Sequence, residues 1–256
     1  MGRFAVISLL LVTIVCSSSI PPVNSLSNGL ICYLPLDEGA GKLAFDKTKR
    51  TNDIGIPSIS SSIEWNQSQK GKLLKWAGAT VNDYVNIGKP SCLNLTSSNF
   101  TVSAWVRFTN ASGVYRYIFS DYNAAGSNCL GTIYLNSLGK INFFWCNAGS
   151  QVPNANYGTG VTIASNTWYH IVGIRSGATG AWNALVYVNG IFQYTLSTAT
   201  NPPTQANAGN ARIGVVGDYS GASLCNDGNI KNVMLWNRAL TEAEIKELYI
   251  NQLSNL

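Results

Sequence analysis

The chain has 256 residues, of which 46% are hydrophobic and 11% are charged, with a net charge of +5. This apolar content can bury a sizeable core, which excludes a disordered chain, and the modest charge excludes the strongly basic footprint of nucleic-acid-binding proteins. The 28 Asn and 24 Gly residues, with 11% aromatics, favour a turn-rich β protein.

The first 25 residues have the pattern of a secretory signal peptide. A positive start ending at Arg3 precedes an apolar run at 4–15, which is shorter than the roughly 20 residues that span a bilayer. Small residues follow up to Ser25, as before a cleavage site. We expect residues 1–25 to be removed and 26–256 to form one secreted, extracellular domain without a membrane span; a buried first strand is the alternative interpretation.

Short segments of alternating apolar and polar residues follow along the mature chain. The clearest is 100–108, where Phe100, Val102 and every second residue after them are apolar. Further strands are predicted at 29–36, 83–88, 114–120, 130–136, 140–146, 168–174, 185–188, 191–196, 210–216 and 229–236. So many short strands separated by Gly, Asn and Pro turns predict two packed antiparallel sheets.

Local signals define one hairpin and one helix. Asn189-Gly190 separates two of the predicted strands, and both residues tolerate the positive φ of a tight turn. Near the C-terminus, Thr241 and Glu244 have the spacing of a capping box, in which each side chain bonds the other residue's backbone N–H. We therefore predict a single short C-terminal helix.

Five cysteines remain once the leader is removed. They are Cys32, Cys92, Cys129, Cys146 and Cys225. An exported chain favours disulfides, and Cys129 and Cys146 flank a predicted hairpin that turns at 137–139, so we predict a bridge between them. The odd number leaves one thiol over, and the other pairings stay open.

Seven short motifs, taken together in their order, resemble the laminin G-like, concanavalin A-like jelly rolls. They lie at 33–41 with its continuation at 44–53, at 84–87, 100–106, 168–171, 187–190 and 212–214, and at 228–245, which closes the pattern. The resemblance implies an all-β jelly roll, a two-sheet antiparallel β-sandwich with one short C-terminal helix. It also implies an extracellular recognition module, because such domains usually bind glycans or protein surfaces.

The sequence does not predict an enzyme. Hydrolases that resemble this fold carry Glu-x-Asp-x-x-Glu on a central strand, and no such run occurs here. The densest acids, Glu242, Glu244 and Glu247, fall on the predicted helix, where capping explains them. The single histidine, His170, matches a position that is structural in the family, so we expect no catalytic residues.

A structural Ca²⁺ site is implied by the resemblance, between the loop after the first strand and the last strand. The matching oxygen ligands are Asp46, Asn52 and Asp53. Lys231 stands where the family often has an acid, and its ammonium group is an alternative to the ion.

Glycan recognition requires aromatic rings with amides and carboxylates beside them, at a sheet rim. The candidate ligand-binding residues are Asp121, Tyr122, Asn123, Trp145, Tyr157, Asp218, Tyr219, Asn226 and Asp227. We therefore predict a secreted, non-catalytic module that binds carbohydrate or glycosylated surfaces, with a glycan or glycoprotein as its partner. The alternative is an adhesion or structural protein that contacts another protein chain and is disulfide-linked through the unpaired cysteine.

Overall fold

The computed structural model describes most of the chain beyond the N-terminal leader. The described residues are 25–48, 58–59, 63–68, 71–77, 83–93, 95, 98–153, 160–203, 208–218 and 227–253. The predicted signal peptide at 1–25 lies outside them except for its last residue, Ser25.

Fifteen strands and one α-helix form within these residues. The strands are β1 (Leu30–Leu34), β2 (Ser58–Ile59), β3 (Glu64–Ser68), β4 (Gly71–Ala77), β5 (Val85–Gly88), β6 (Phe100–Phe108), β7 (Arg116–Ser120), β8 (Cys129–Leu135), β9 (Ile141–Asn147), β10 (Ser150–Val152), β11 (Tyr169–Ala178), β12 (Ala181–Val188), β13 (Ile191–Thr198), β14 (Ala211–Ile213) and β15 (Asp227–Trp236). The helix α1 spans Glu242–Leu253.

The strands form two antiparallel sheets, as predicted. Sheet A has the order β13-β12-β11-β6-β15-β4-β3, with β1 also paired to β15, and sheet B has the order β10-β9-β8-β7-β14-β5-β2. The sandwich fold is therefore confirmed. The sequence analysis did not predict β2, β3, β4 and β10, because none of these segments shows sustained alternation of apolar and polar residues.

The main core lies between the sheets and contains large aromatic side chains from both. Trp76, Phe108 and Trp182 come from sheet A, and Phe143 and Trp145 come from sheet B. The sheets approach so closely at Gly173 that an added Cβ would lie 2.6 Å from the Phe143 ring. Glycine at this position is what allows the ring to lie against the strand.

A second apolar layer lies on the outer face of sheet A, where α1 packs through Ile245 and Leu248. The predicted capping box is confirmed, since Thr241 N donates to Glu244 Oε2 at 2.8 Å and Glu244 N donates to Thr241 Oγ1 at 3.3 Å. Because α1 covers this face, β6 is buried on both sides and not only on its alternating apolar face.

Candidate functional site

Three loops meet at the end of sheet B where β7 ends and β8 begins. They are the β7–β8 loop, the segment 208–210 before β14 and the segment 214–218 after β14. Asp218 N donates to the carbonyl of Tyr122 at 2.8 Å, and Gly209 N donates to the carbonyl of Asp121 at 2.7 Å. The structure therefore brings together four of the predicted site residues, which are Asp121, Tyr122, Asn123 and Asp218. Backbone hydrogen bonds, rather than a regular strand pairing, hold them in place.

Amide side chains organise this loop cluster. Asn123 Oδ1 accepts from the backbone N–H groups of Ser127 (2.8 Å) and Asn128 (3.2 Å). Asn128 Oδ1 in turn accepts from Ala148 N at 3.2 Å, which ties the β9–β10 turn to the same loop. We use the name amide rim for a set of uncharged polar residues of these loops and of the adjoining strands β9 and β10, which are Tyr122, Asn123, Ser127, Asn128, Asn147, Gln151 and Asn210.

A side-chain hydrogen bond joins Gln151 to Tyr122 in the amide rim. Gln151 Nε2 donates to Tyr122 Oη at 2.8 Å, and Gln151 itself is exposed. The Tyr122 ring packs edge-on against Phe144, with centroids 5.8 Å apart. Burial and the nearby thiols of Cys129 and Cys146 raise the pKa of Tyr122, so the phenol stays protonated and its O–H is a donor.

A row of aromatic side chains extends from Tyr122 across the outer face of sheet B. Tyr134 stacks on Tyr117 with a centroid distance of 5.2 Å, and it meets Phe144 edge-on at 5.5 Å. Tyr115 continues the row at 5.8 Å from Tyr134 and is 37% exposed. The sequence analysis did not predict this row, although the alternation of Tyr115, just before β7, with Tyr117 within it is a signal for it.

The Asp121 side chain lies beneath the amide rim and holds the neighbouring backbone by hydrogen bonds. It is buried, and its carboxylate accepts from Leu130 N at 3.0 Å and from Gly131 N at 3.2 Å, which fixes the start of β8. Burial raises its pKa to about 6, although these hydrogen bonds and the nearby Arg175 act in the opposite direction. The prediction that its side chain lies at the surface is wrong, because β8 covers it.

Asp218 lies at the edge of the amide rim with its charge already neutralised. Its Oδ1 lies 2.7 Å from Arg212 Nη2, and its Oδ2 accepts from Asn210 N at 2.7 Å. The guanidinium of Arg212 also lies over the Tyr84 ring, 4.3 Å from its centroid. This part of the amide rim is therefore polar without a net charge.

Two other predicted ligand residues lie elsewhere. Trp145 is fully buried between the sheets, where it meets Trp182 edge-on at 6.5 Å and donates from Nε1 to the carbonyl of Thr200 at 3.2 Å. Its predicted surface position is wrong, because it points inward from β9. Asp227 begins β15 and pairs with Arg116 at 3.6 Å, at the opposite end of β7 from the amide rim.

The remaining predicted residues cannot be placed in the same way. Tyr157, Tyr219 and Asn226 lie outside the described residues. Asn52 and Asp53 of the predicted calcium site lie outside them too.

Asp46, the described residue of the predicted calcium site, is hydrogen-bonded within the protein. Its Oδ1 accepts from Tyr33 N at 2.8 Å and from Thr48 N at 3.1 Å, and its Oδ2 accepts from the Thr48 hydroxyl. Both oxygens are therefore engaged by the protein itself. Among the described residues, no cluster of three His, Cys, Asp or Glu side chains is placed to hold a metal ion. Calcium stays a prediction, and melting with and without a chelator tests it.

The predicted disulfide partners face each other. Cys129 and Cys146 are direct partners in the β8–β9 ladder, and both are buried. Their thiols are free in this structure, so the bond itself stays a prediction. Burial raises the pKa of the Cys129 thiol well above its usual range.

A serine–histidine contact exists, but it lies in the interior. Ser103 Oγ and His170 Nε2 are 2.8 Å apart, and both residues are fully buried. The Trp105 ring lies 5.2 Å from His170, and its Nε1 donates to Gln252 of α1 at 2.7 Å. This contact therefore joins β6 and β11 beneath the helix, which agrees with the structural role expected for His170.

Comparison with models of known protein families identifies the family of this chain. A laminin G-type family model, described as the concanavalin A-like lectin/glucanases superfamily, matches residues 78–246. The chain belongs to this superfamily. None of the curated proteins matches it. Within the described residues, no helix of this superfamily member is long and apolar enough to cross a membrane.

Solved structures similar to this superfamily member include toxin binding domains and one domain of an enzyme. The binding domain of Paraclostridial Mosquitocidal Protein 1 has a TM-score of 0.64 and 15% identity, over 86% of this chain and 52% of that chain. The binding domain of botulinum neurotoxin DC, in complex with SialylT, has a TM-score of 0.63 and 12% identity, over 89% and 52%. This chain thus spans about half the length of those toxin domains.

A third similar structure is matched over nearly its full length. Domain 4 of an extracellular arabinanase from Geobacillus stearothermophilus, in complex with arabinotriose, has a TM-score of 0.58 and 19% identity, over 86% of this chain and 98% of that domain. At these identities the likeness concerns the fold alone.

Proposed function

We propose that this protein is a secreted, non-catalytic carbohydrate-binding module that contacts sugar hydroxyl groups through the amide rim. The observation that carries the proposal is the exposed Gln151 amide bonded to the phenol of Tyr122, within loops lined by further amides. Amides donate to and accept from hydroxyl groups at the same time, which suits them to uncharged sugars.

Two kinds of comparison support the proposal. The superfamily includes lectins by its description, and similar folds have been solved with SialylT and with arabinotriose bound. The N-terminal leader supports export, because its apolar run is flanked as in signal peptides. The burial of the Ser103–His170 contact supports the non-catalytic part of the proposal, because a substrate does not reach these two side chains.

Binding to a glycan panel tests the proposal directly. The full chain is expressed in a secreting host and recovered from the medium, and it is then titrated with neutral and sialylated oligosaccharides, arabinotriose included. We expect saturable binding to one glycan class and no release of reducing ends. Absence of binding across the panel would contradict the proposal and favour a protein partner.

Two matched amide variants locate the site. Gln151→Ala removes one hydrogen-bonding group from the amide rim and should weaken binding by about three- to tenfold. Asn251→Ala removes another exposed amide, from α1 on the outer face of sheet A, and should leave the affinity unchanged. Equal affinities of the two variants would place the glycan elsewhere.

A further inference from the structure

An open cleft of about 380 Å³ lies at one end of sheet A. It is lined by residues 180–183, which form the β11–β12 turn and the start of β12, and by residues 197–199 at the end of β13. Its volume is within the range of small-molecule binding sites. None of its lining residues is charged.

Asn201 connects the cleft with the amide rim. Its Oδ1 accepts from Trp182 Nε1 at 2.8 Å and from Gly180 N at 3.0 Å, which fixes the wall of the cleft. Its carbonyl accepts from Asn147 Nδ2, an amide of the rim, at 3.0 Å. Asn201 thus bonds both to the wall of the cleft and to one residue of the amide rim, Asn147.

The polar groups of the cleft suit sugar hydroxyls as well. Ser197 Oγ donates to Asn183 Oδ1 at 2.6 Å, and Thr198 Oγ1 accepts from Thr200 N at 3.1 Å, which leaves the Thr198 hydroxyl proton for another acceptor. Trp182 is buried, so its ring forms the floor of the cleft and does not offer a stacking face.

From the hydrogen bonds that join Asn201 to both surfaces, we infer that the cleft is a second subsite. The ligand is then a neutral oligosaccharide that extends from the amide rim past Asn201 into the cleft. The inference rests on the proposed function, because the rim must hold the first sugar units. An anionic chain is disfavoured, since the cleft offers no cation and the Arg212 guanidinium is already paired with Asp218.

The length of the oligosaccharide is the variable that tests this inference. The wild-type protein is titrated with neutral di- and hexasaccharides of the arabinan, cellulose and mannan series. Ala181→Tyr and Ala199→Tyr place bulk in the cleft at exposed positions, and Ala243→Tyr places the same bulk on α1 as a control. Melting curves show that each variant is folded, and Ser197→Ala serves as a milder second variant.

The expected result separates the two subsites. The wild type should bind the hexasaccharide more tightly than the disaccharide, and the two cleft variants should lose that gain, roughly tenfold, while they keep the disaccharide affinity. Gln151→Ala should weaken both ligands. The second subsite alone would be overturned if the cleft variants bound the hexasaccharide as tightly as Ala243→Tyr does. It would also be overturned if the wild type bound the disaccharide and the hexasaccharide with the same affinity. No binding of either length would overturn the proposed function itself.

Discussion

Cys129 and Cys146 lie directly opposite each other in the β8–β9 ladder, and they share a buried cluster with Tyr122 of the amide rim. A bond between them would close the hairpin covalently next to the proposed binding surface. It would form by loss of both thiol protons and two electrons to a disulfide oxidant such as oxidised glutathione.

We expect protein refolded with oxidised glutathione to contain this bridge. Peptide mapping without reductant should recover the two cysteines in one linked peptide, lighter by two hydrogen atoms than the reduced pair. Closing a loop of this length stabilises a domain by about 3 kcal/mol in the chain-entropy model, so a reductant should lower the free energy of unfolding. Cys129→Ser should remove that response, and separate peptides would contradict the prediction.

The pKa of Asp121, raised to about 6 from its ordinary value of 3.8, makes stability depend on pH. The folded protein holds this proton more tightly than the unfolded chain, so the stabilising contribution is full below pH 3.8 and is lost as the pH rises through 6. Asp121→Asn cannot titrate at this position, whereas His170 titrates in both proteins. The free energy of unfolding of the wild type minus that of Asp121→Asn should therefore fall between pH 4 and pH 7 in denaturant unfolding. A constant difference would contradict the assignment.

The lowered pKa of His170 should make stability depend on pH in the direction opposite to that of Asp121. Burial lowers its pKa from 6.5 to about 3, so its contribution to stability is present above pH 6.5 and is lost as the pH falls toward 3. His170→Gln keeps a polar side chain near Ser103 but does not titrate. In acid unfolding curves, the variant should lose less stability than the wild type between pH 6 and pH 4. Parallel curves would count against a buried neutral imidazole.

Arg175 joins the two sheets through backbone carbonyls. Its guanidinium donates to Leu130 O at 2.5 Å and to Leu95 O and Ser98 O at 2.8 Å, and it lies over the rings of Phe100 and Trp182. Arg175→Met should cost about 3–5 kcal/mol, because it leaves buried carbonyls without donors.

Arg175→Lys tests whether charge or geometry matters at this position. A lysine keeps the charge but cannot reach three carbonyls in one plane, so it should recover only part of the loss. Chemical unfolding of both variants measures this. Full recovery by lysine would show that the planar guanidinium is not required.

Much of the fold could be predicted from local patterns. The bounds of β6 match the predicted segment at 100–108, because alternation persists there for nine residues. The turn at Asn189-Gly190 has the positive φ values that were expected, 52° and 74°. The capping box of α1 was predictable because it involves only neighbouring residues.

The candidate site was only partly predictable. The sequence identified Tyr122 and Asn123, but it placed Trp145 at the surface and did not identify the amide rim around Gln151. Residues 141–146 are apolar except for Asn142, so their order does not show which side chains face the core.

The sequence by itself determined the elements whose signals are local, which are the strands with clear alternation, the tight turn and the capped helix. Only the tertiary structure decided which face of each strand is buried and which loops meet. The reason is physical: Asp218 and Gln151 reach Tyr122 through hydrogen bonds between loops distant along the chain. Such contacts depend on how the two sheets pack, and no spacing along the chain encodes them.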